Sequence, residues 1–232
     1  MEEPTTQWWT YYSTAFPNAE SGPAAHHEAS ISQLISLLPW NNRCMASKTK
    51  PNKRDAILDA MLDVVVERGF HEAPMSLIVE RSGSSAGLIY HHFASKEEII
   101  QALYERIHTL KMASFLDGFT PEMDPRQAFV HGCERMYLFY RKHQKEMRFL
   151  EQYKNAGFPC QPELNATDQR IAAFLQRFSS RSKGGVLNEW PADVLQEITI
   201  GLIERLARLP RKVSSSVLRE IAESLWTQVK AK

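Results

Sequence analysis

Residues 75–93 read MSLIVERSGSSAGLIYHHF. Pro74 precedes them, and because a proline is tolerated in the first turn of a helix, a short helix is predicted over 75–81. Ser82-Gly83 then indicates a turn, and a serine after it can cap a second short helix that reaches about Tyr90. Two short helices joined by a tight turn form the core of a helix-turn-helix, whose second helix lies in the major groove of DNA.

A longer helix is predicted on each side of this stretch. Upstream, apolar residues recur at three- and four-residue spacing from Ile57 to Val66, and Gly69 ends the segment. Downstream, Ser95 caps a helix that runs to Phe115, with two acids in its first turn, where the helix dipole favours them. The first helix would brace the two short ones. The residues expected to pack inward from the short helices are Leu77, Ile78 and Leu88.

The helical period continues to the end of the chain. Apolar stripes predict further helices over 129–140, 147–153, 171–178, 195–209 and 217–229. Nothing alternates with a period of two over a useful length, so the predicted fold class is all-α.

Residues 1–44 differ from the rest of the chain. They carry aromatic residues among Thr, Ser and Pro without a helical or strand period, and their first basic residue is Arg43, so they do not resemble a secretory signal. We expect a poorly ordered extension. Two interpretations stay open: a flexible arm of the protein, or a segment upstream of a translation start at Met45.

Overall charge gives no indication of the partner. The chain has 28 Lys and Arg against 27 Asp and Glu, and 24% of its residues are charged, with no apolar run near 18 residues. This composition excludes a transmembrane protein. The three widely spaced cysteines cannot form a disulfide framework or a zinc site on their own, which favours a reducing cytoplasm.

Charge placement is more informative than net charge. Four basic residues, Lys48, Lys50, Lys53 and Arg54, stand directly before the first helix of the helix-turn-helix. In that place they are predicted to contact the phosphate backbone or the minor groove. The alternative is that they form a solvated surface.

Four segments together resemble the TetR/AcrR family of bacterial repressors. They are RDAIL at 54–58, ERGF at 67–70, GSSAGLIYHHF at 83–93 and SKEEI at 95–99, and they keep the order and spacing of that family over about 45 residues. The poorly ordered extension is assigned to 1–47, and the resemblance implies a three-helix DNA-binding domain over 48–96 and a helical domain for ligand binding and dimerisation over 97–232.

The resemblance also implies roles for single residues. Tyr90 and His92 match positions that touch DNA phosphates, as does Lys96, while Ser76, Ala86, Gly87 and Leu88 match positions near the bases. Ser84 departs from the pattern, because the family usually has a small apolar residue there, commonly Val. The complete predicted DNA-binding set is Lys48, Lys50, Lys53, Arg54, Ser76, Ser85, Ala86, Gly87, Leu88, Tyr90, His91, His92 and Lys96.

Three of these features have other interpretations. Tyr90 could be a core aromatic residue, as Phe93 is expected to be. His91-His92 could suggest a metal, but no further ligands stand at matching spacing, so neither a metal nor a cofactor is predicted. Gly83–Gly87 fits the G-x-S-x-G pattern of serine hydrolases, with Ser85 as nucleophile after a strand at 77–79, but no sheet follows to support it.

The C-terminal half is predicted to bind a ligand and to pair with a second copy. Methionines and aromatic residues suit a pocket for an apolar or aromatic molecule, although such stripes also form plain core. Glu204 could meet a cationic ligand or face outward, and Cys133 or Cys160 could sense oxidants. The predicted pocket residues are Met112, Phe115, Met136, Tyr137, Tyr140, Met147, Tyr153, Phe174 and Phe178.

The last two helices are predicted to form a four-helix bundle with a symmetry mate, and the alternative for them is an intramolecular core. The residues assigned to this interface are Leu195, Ile198, Leu202, Leu206, Leu218, Ile221, Leu225 and Trp226. The sequence thus predicts a cytoplasmic, homodimeric regulator that binds double-stranded operator DNA and is released by a small molecule. The alternative is a ligand-binding or protein-interaction module that no longer reads DNA.

Overall fold

The computed structural model describes residues 52–120, 123–158, 186–188 and 190–231. Apart from one β-bridge between Leu187 and Lys230, these residues contain only helices and connecting segments, which confirms the all-α prediction. The helices are α1 (Lys53–Arg68), α2 (Met75–Ser82), α3 (Ala86–His92), α4 (Lys96–Leu116), α5 (Pro125–Lys142), α6 (Gln144–Asn155), α7 (Ala192–Gln196), α8 (Leu202–Arg208) and α9 (Ser215–Val229). The extension over 1–47 and the helix predicted over 171–178 lie outside the described residues.

The caps at the helix-turn-helix follow the sequence signals. Gly83 ends α2 in the left-handed conformation (φ 59°). Residues with a side chain rarely adopt this conformation. Ser85 caps α3 by accepting a hydrogen bond from the Leu88 N–H, and Ser95 caps α4 in the same way through the Glu98 N–H. These caps fix where α3 begins and therefore which of its residues face the core.

The first core cluster forms around α1. Ile57 and Leu58 of α1 are fully buried together with Ile78 of α2 and with Ile89 and Phe93 at the other end of the motif. Leu77 is partly buried against the same cluster.

The prediction that Leu88 packs inward is wrong. Leu88 is half-buried and lies outside the cluster, while Ile89 is 0% exposed. Each residue of an α-helix is rotated by about 100° from the one before it. A helix that starts at Ala86 therefore turns Ile89 toward α1 and leaves Leu88 at the margin.

Helix α6 also belongs to the first cluster. Phe149 and Tyr153 are fully buried there, and their rings lie 5.4 and 6.3 Å from the ring of Phe70, which follows α1. The Tyr153 ring stacks on Tyr104 of α4 at 4.3 Å, and its hydroxyl donates to Gln101 Oε1 at 2.7 Å. The core of the helix-turn-helix is thus completed by a helix about 50 residues downstream of α3.

Two further clusters fill the C-terminal half. In one, α5 packs against Ile203 and Ala207 of α8 and against Leu218 of α9. In the other, Trp226 of α9 packs beside Phe129, with ring centroids 5.5 Å apart. Helices α7 and α8 form one continuous rod joined by a π-helical turn, Glu197–Gly201, which the sequence pattern did not predict.

Candidate nucleic-acid interface

The outward face of α3 is the candidate DNA-reading surface. Ile89 and Phe93 bury the inner face of this region, whereas Tyr90 has 56% of its surface exposed. Tyr90 is therefore not a core residue, and that alternative is wrong. Ala86, Gly87 and His91 are also exposed, and His92 is half-buried. Tyr90 and the two histidines thus present a phenol and two imidazoles along one short, firmly anchored helix.

Ser85 holds the start of this helix rather than a catalytic elbow. Its Oγ accepts a hydrogen bond from the backbone N–H of Leu88 at 3.2 Å. The segment at 77–79, which the hydrolase interpretation takes as a strand, lies within helix α2. The G-x-S-x-G match therefore stands on a helix–turn–helix and not on the strand–turn–helix that a nucleophile elbow requires.

Three of the basic side chains predicted to contact DNA lie near α3, and each also makes a contact within the protein. Lys53 Nζ donates to the carbonyl oxygen of Gly83 at 3.2 Å, and the Arg54 guanidinium lies 5.1 Å from the centre of the Phe93 ring. Lys96 Nζ donates to the Phe70 carbonyl oxygen at 2.7 Å. An ammonium has three donors, so one such bond leaves Lys53 and Lys96 able to donate to a phosphate as well. Lys48 and Lys50 lie outside the described residues.

The remaining base-proximal position, Ser76, is exposed in the first turn of α2. It stands near Pro74, at the end of α2 opposite to the Gly83 turn. Ser76 is therefore accessible to DNA on the supporting helix.

An acidic stripe on α1 is compensated within the protein, which sequence reasoning missed. Asp59, Asp63 and Glu67 stand four residues apart on one face of α1. Each forms an ion pair with a different helix at 2.6–2.7 Å; the partners are Arg106 of α4, Lys145 of α6 and Arg81 of α2, respectively. The hydrogen bond from Arg81 lowers the pKa of Glu67. The four-residue spacing was the available signal, but the partners are distant in sequence.

Two serines at the turn differ in their bonding. Ser82 and Ser84 are both buried, at 8% and 4% exposure. Ser82 Oγ donates to the Val79 carbonyl oxygen at 3.4 Å, whereas Ser84 Oγ is buried without a hydrogen-bond partner among the described residues. The position that departs from the family pattern therefore carries a desolvated hydroxyl.

The predicted pocket residues fall into separate parts of the structure. Met136, Tyr137 and Tyr140 are buried in the cluster between α5, α8 and α9, where the Tyr137 hydroxyl accepts from the Val213 N–H at 2.8 Å. Burial and the nearby Glu204 carboxylate raise the pKa of Tyr140. Tyr153 lies in the first cluster, apart from these. Phe115 and Met147 are partly buried against the second cluster, and Met112 is buried on α4.

Phe174, Phe178 and Cys160 lie outside the described residues. Glu204 pairs with Arg208, which also contacts Glu151 of α6 at 3.1 Å. Burial raises the pKa of the Cys133 thiol to about 12, which suppresses the thiolate that oxidants attack.

The predicted dimer residues divide into two groups. Leu218 and Trp226 are 3% and 9% exposed within the single chain, packed against α5, so for these two the intramolecular alternative holds. The others are half-buried; they are Leu195, Ile198, Leu202, Leu206, Ile221 and Leu225. Val194 on α7 and Val217 on α9, which the sequence prediction omitted, are 43% and 45% exposed.

Two kinds of feature are absent from the described residues. No helix in that part of the chain is both long and apolar enough to cross a membrane. Across the same residues, no group of three or more His, Cys, Asp or Glu side chains is arranged to hold a metal ion.

The sequence is similar to those of known bacterial regulatory proteins. Residues 57–103 match the family model described as bacterial regulatory proteins, tetR family. The fatty acid metabolism regulator protein of Bacillus subtilis is 28% identical over 165 residues, which span 69% of this chain and 78% of that protein. The HTH-type transcriptional regulator UidR of Escherichia coli is 38% identical over 71 residues, which span 31% of this chain and only 36% of UidR.

The fold is similar to solved structures over most of its length. A TetR family transcription regulator from Marinobacter aquaeolei superposes with a TM-score of 0.68 at 19% identity, covering 78% of this chain and 96% of the other. The similarity thus extends beyond the helix-turn-helix into the C-terminal helices.

Proposed function

This chain belongs to the TetR family of bacterial regulatory proteins and is a DNA-binding transcriptional regulator, and on that basis we propose that it acts as a homodimeric repressor released by a small apolar or aromatic molecule. The observation that carries the proposal is the outer face of α3, where Tyr90 is 56% exposed above a buried Ile89. A helix anchored on one face and open on the other can enter a major groove without loss of core packing. Because it acts on DNA, the protein works in the bacterial cytoplasm.

The proposed contacts divide by chemistry. Tyr90, His92 and Lys96 donate to phosphate oxygens and set the position of the protein on the duplex, as do Lys53 and Arg54 near the start of α1. The residues nearest the bases are Ser76 on α2 and Ala86, Gly87 and Leu88 at the start of α3. Lys48, Lys50, Ser85 and His91 complete the proposed interface.

A homodimer supplies the second reading helix. Two copies of α3 have to reach successive major grooves about 34–36 Å apart. Exposed Val194 and Val217 extend the half-buried apolar residues of α7, α8 and α9, so these helices offer apolar surface to a symmetry mate. Burial of such surface between two copies is the expected source of dimer stability.

Helix α6 is the proposed route from ligand to DNA. Its Phe149 and Tyr153 pack under the helix-turn-helix, while Met147 contacts the second cluster and Glu151 pairs with Arg208 of α8. A ligand that binds better when α6 is displaced shifts the population away from the form that fits the operator. The proposed pocket residues are Met112, Phe115, Met136, Tyr137, Tyr140, Met147, Tyr153, Phe174 and Phe178.

The proposed ligand class follows from the side chains. Methionine and aromatic residues suit apolar or aromatic molecules. Because the Bacillus subtilis relative is named for fatty acid metabolism, long-chain fatty acids are the first class to test, followed by planar aromatic compounds.

The test combines DNA selection with a measurement of mass. The full chain is used to select operators from a random duplex library, and its mass is measured by light scattering with and without the selected duplex. We expect an enriched two-fold symmetric sequence and a dimeric mass. Binding should be lost when a long-chain fatty acid or a planar aromatic compound is added. No enriched sequence would favour the alternative module that no longer reads DNA. A monomer on the duplex would contradict the proposed dimer.

A further inference from the structure

The first turn of α3 presents an apolar surface to the solvent. Ala86 and Gly87 are exposed and Leu88 is half-buried, and the side chains of these residue types have no hydrogen-bonding atoms. The Ser85 hydroxyl oxygen just before them accepts from the Leu88 N–H at 3.2 Å, which holds this side chain against the helix. Direct pairing of bases with side chains at 86–88 is therefore not available.

Gly87 adds open backbone to this surface. Among the described residues, a β-carbon placed on Gly87 would have no heavy atom within 4 Å. Gly87 lies about 200° around the helix from Ile89, which is 0% exposed and points into the core. The backbone at Gly87 therefore faces away from the core, and on that side its Cα is exposed to an approaching duplex.

The major groove offers one apolar group to such a surface. The C5-methyl of thymine is the apolar feature among the base edges, and small apolar side chains contact it. We propose that each operator half-site carries a thymine whose methyl group packs against the Gly87 Cα and the Ala86 methyl. This inference rests on the proposed function, because it requires α3 in the major groove.

Deoxyuridine tests the proposal directly, since it lacks only the methyl group and keeps the hydrogen-bonding pattern of thymine. Each thymine of the selected operator is replaced in turn by deoxyuridine, and binding of the full chain is measured by fluorescence anisotropy. One or two positions in each half-site are expected to bind about fourfold more weakly, as for the loss of one buried methyl group. Equal binding at every position would overturn the proposal.

Gly87→Ala supplies the reciprocal change. The new methyl group has space in the protein and improves helix propensity, so the fold is retained. On the thymine operator it would occupy the space of the base methyl and weaken binding about tenfold. On the operator with deoxyuridine at the sensitive position, binding is expected to recover. A Gly87→Ala variant that binds both operators like the unchanged protein would contradict the contact.

Thr109→Ala is the matched control, because Thr109 is exposed on α4 and the change also improves helix propensity. It should leave the preference for thymine unchanged. The same experiments distinguish failure of the proposed function from failure of the thymine contact. If selection enriches no sequence, the proposed function fails and the thymine contact with it. If a sequence is enriched but deoxyuridine has no effect, only the thymine contact is overturned.

Discussion

Lys145 Nζ on α6 lies 2.7 Å from Asp63 Oδ1 on α1, which joins two helices whose residues are 82 positions apart in the chain. This pair belongs to the acidic stripe of α1, in which each carboxylate is met by a cation from a different helix. The hydrogen bond to Asp63 raises the pKa of Lys145. These three carboxylates of α1 are thereby paired with cations of the same chain.

The attachment of α6 to α1 should depend on packing more than on this ion pair. Lys145 and Asp63 side chains are 65% and 42% exposed, so screening makes their contribution small. Lys145→Gln is expected to shift the thermal midpoint by about 1 °C or less. Phe149→Ala, at a fully buried position, should lower the unfolding free energy by about 3–5 kcal/mol. Similar losses for both variants in urea denaturation would contradict this ranking.

Tyr90→Phe should reduce operator affinity without changing stability. The hydroxyl is on a side chain that is 56% exposed, so its removal leaves no buried partner unsatisfied. Loss of one hydrogen bond to a charged phosphate should weaken binding about tenfold in anisotropy titrations. Tyr137→Phe is the opposite control, since its buried hydroxyl accepts from the Val213 N–H. That variant should lose stability and keep its affinity for DNA.

Ser84→Ala and Ser82→Ala should change stability in opposite directions. Both serines are buried at the same turn, but Ser84 Oγ has no partner among the described residues whereas Ser82 Oγ donates to Val79. Removing the unpaired hydroxyl should raise the unfolding free energy by about 1 kcal/mol, and removing the paired one should lower it by about 0.5–1 kcal/mol. Urea denaturation of both variants is the measurement, and two shifts of the same sign would refute the assignment.

Lys96→Gln should affect stability and DNA binding together. Its ammonium donates to the Phe70 carbonyl oxygen at 2.7 Å, and a hydrogen bond of a charged donor contributes about 1.5–3 kcal/mol. If Lys96 also meets a phosphate, the dependence of log affinity on log salt should become shallower by about 0.9. Lys142→Gln, at the exposed end of α5, is the control for charge alone. An unchanged salt dependence would remove Lys96 from the interface.

Acid should destabilise the protein through His108. Burial, with a smaller contribution from Lys111, lowers the pKa of His108 from 6.5 to about 3. Between these values the unfolded chain binds the proton and the folded chain does not. His108 therefore leaves the unfolding free energy unchanged above pH 6.5 and lowers it as the pH falls from 6.5 toward 3. The fall approaches about 1.4 kcal/mol per pH unit.

His108→Gln should remove this part of the pH dependence in urea denaturation at pH 5 and pH 7. His71→Gln, at an exposed position, should retain it. If His108→Gln unfolds with the same dependence on pH as the unchanged protein, another group is responsible.

Local signals predicted the helix-turn-helix well. The positions of Pro74, Gly83, Ser85 and Ser95 fixed the ends of α2, α3 and α4, because capping and turn geometry depend on neighbouring residues. The inward position of Leu88 was predicted wrongly, because the sequence alone did not decide which serine after Gly83 caps α3. An error of one residue in the start of a short helix rotates its inner face by about 100°.

Relationships across the chain were not predictable in this way. The ion pair from Arg106 to Asp59 spans 47 residues, and Tyr153 reaches Gln101 across 52. The apolar spacing around Tyr153 predicted a buried face, but spacing alone does not show which core cluster that face joins. For the same reason Leu218 and Trp226 were predicted at a dimer interface, although α5 covers them within the chain.

The π-helical turn at Glu197–Gly201 acts as a rotational joint within a single rod. One additional residue in the turn changes the direction in which every later side chain points, so Leu195 and Ile198 pack beside Trp226 while Ile203 and Ala207 pack on α5. Deleting one residue from this turn would straighten the helix and redirect its entire second half. A length change that a surface loop absorbs would here rotate the buried face of α8 by about 100° around the helix axis.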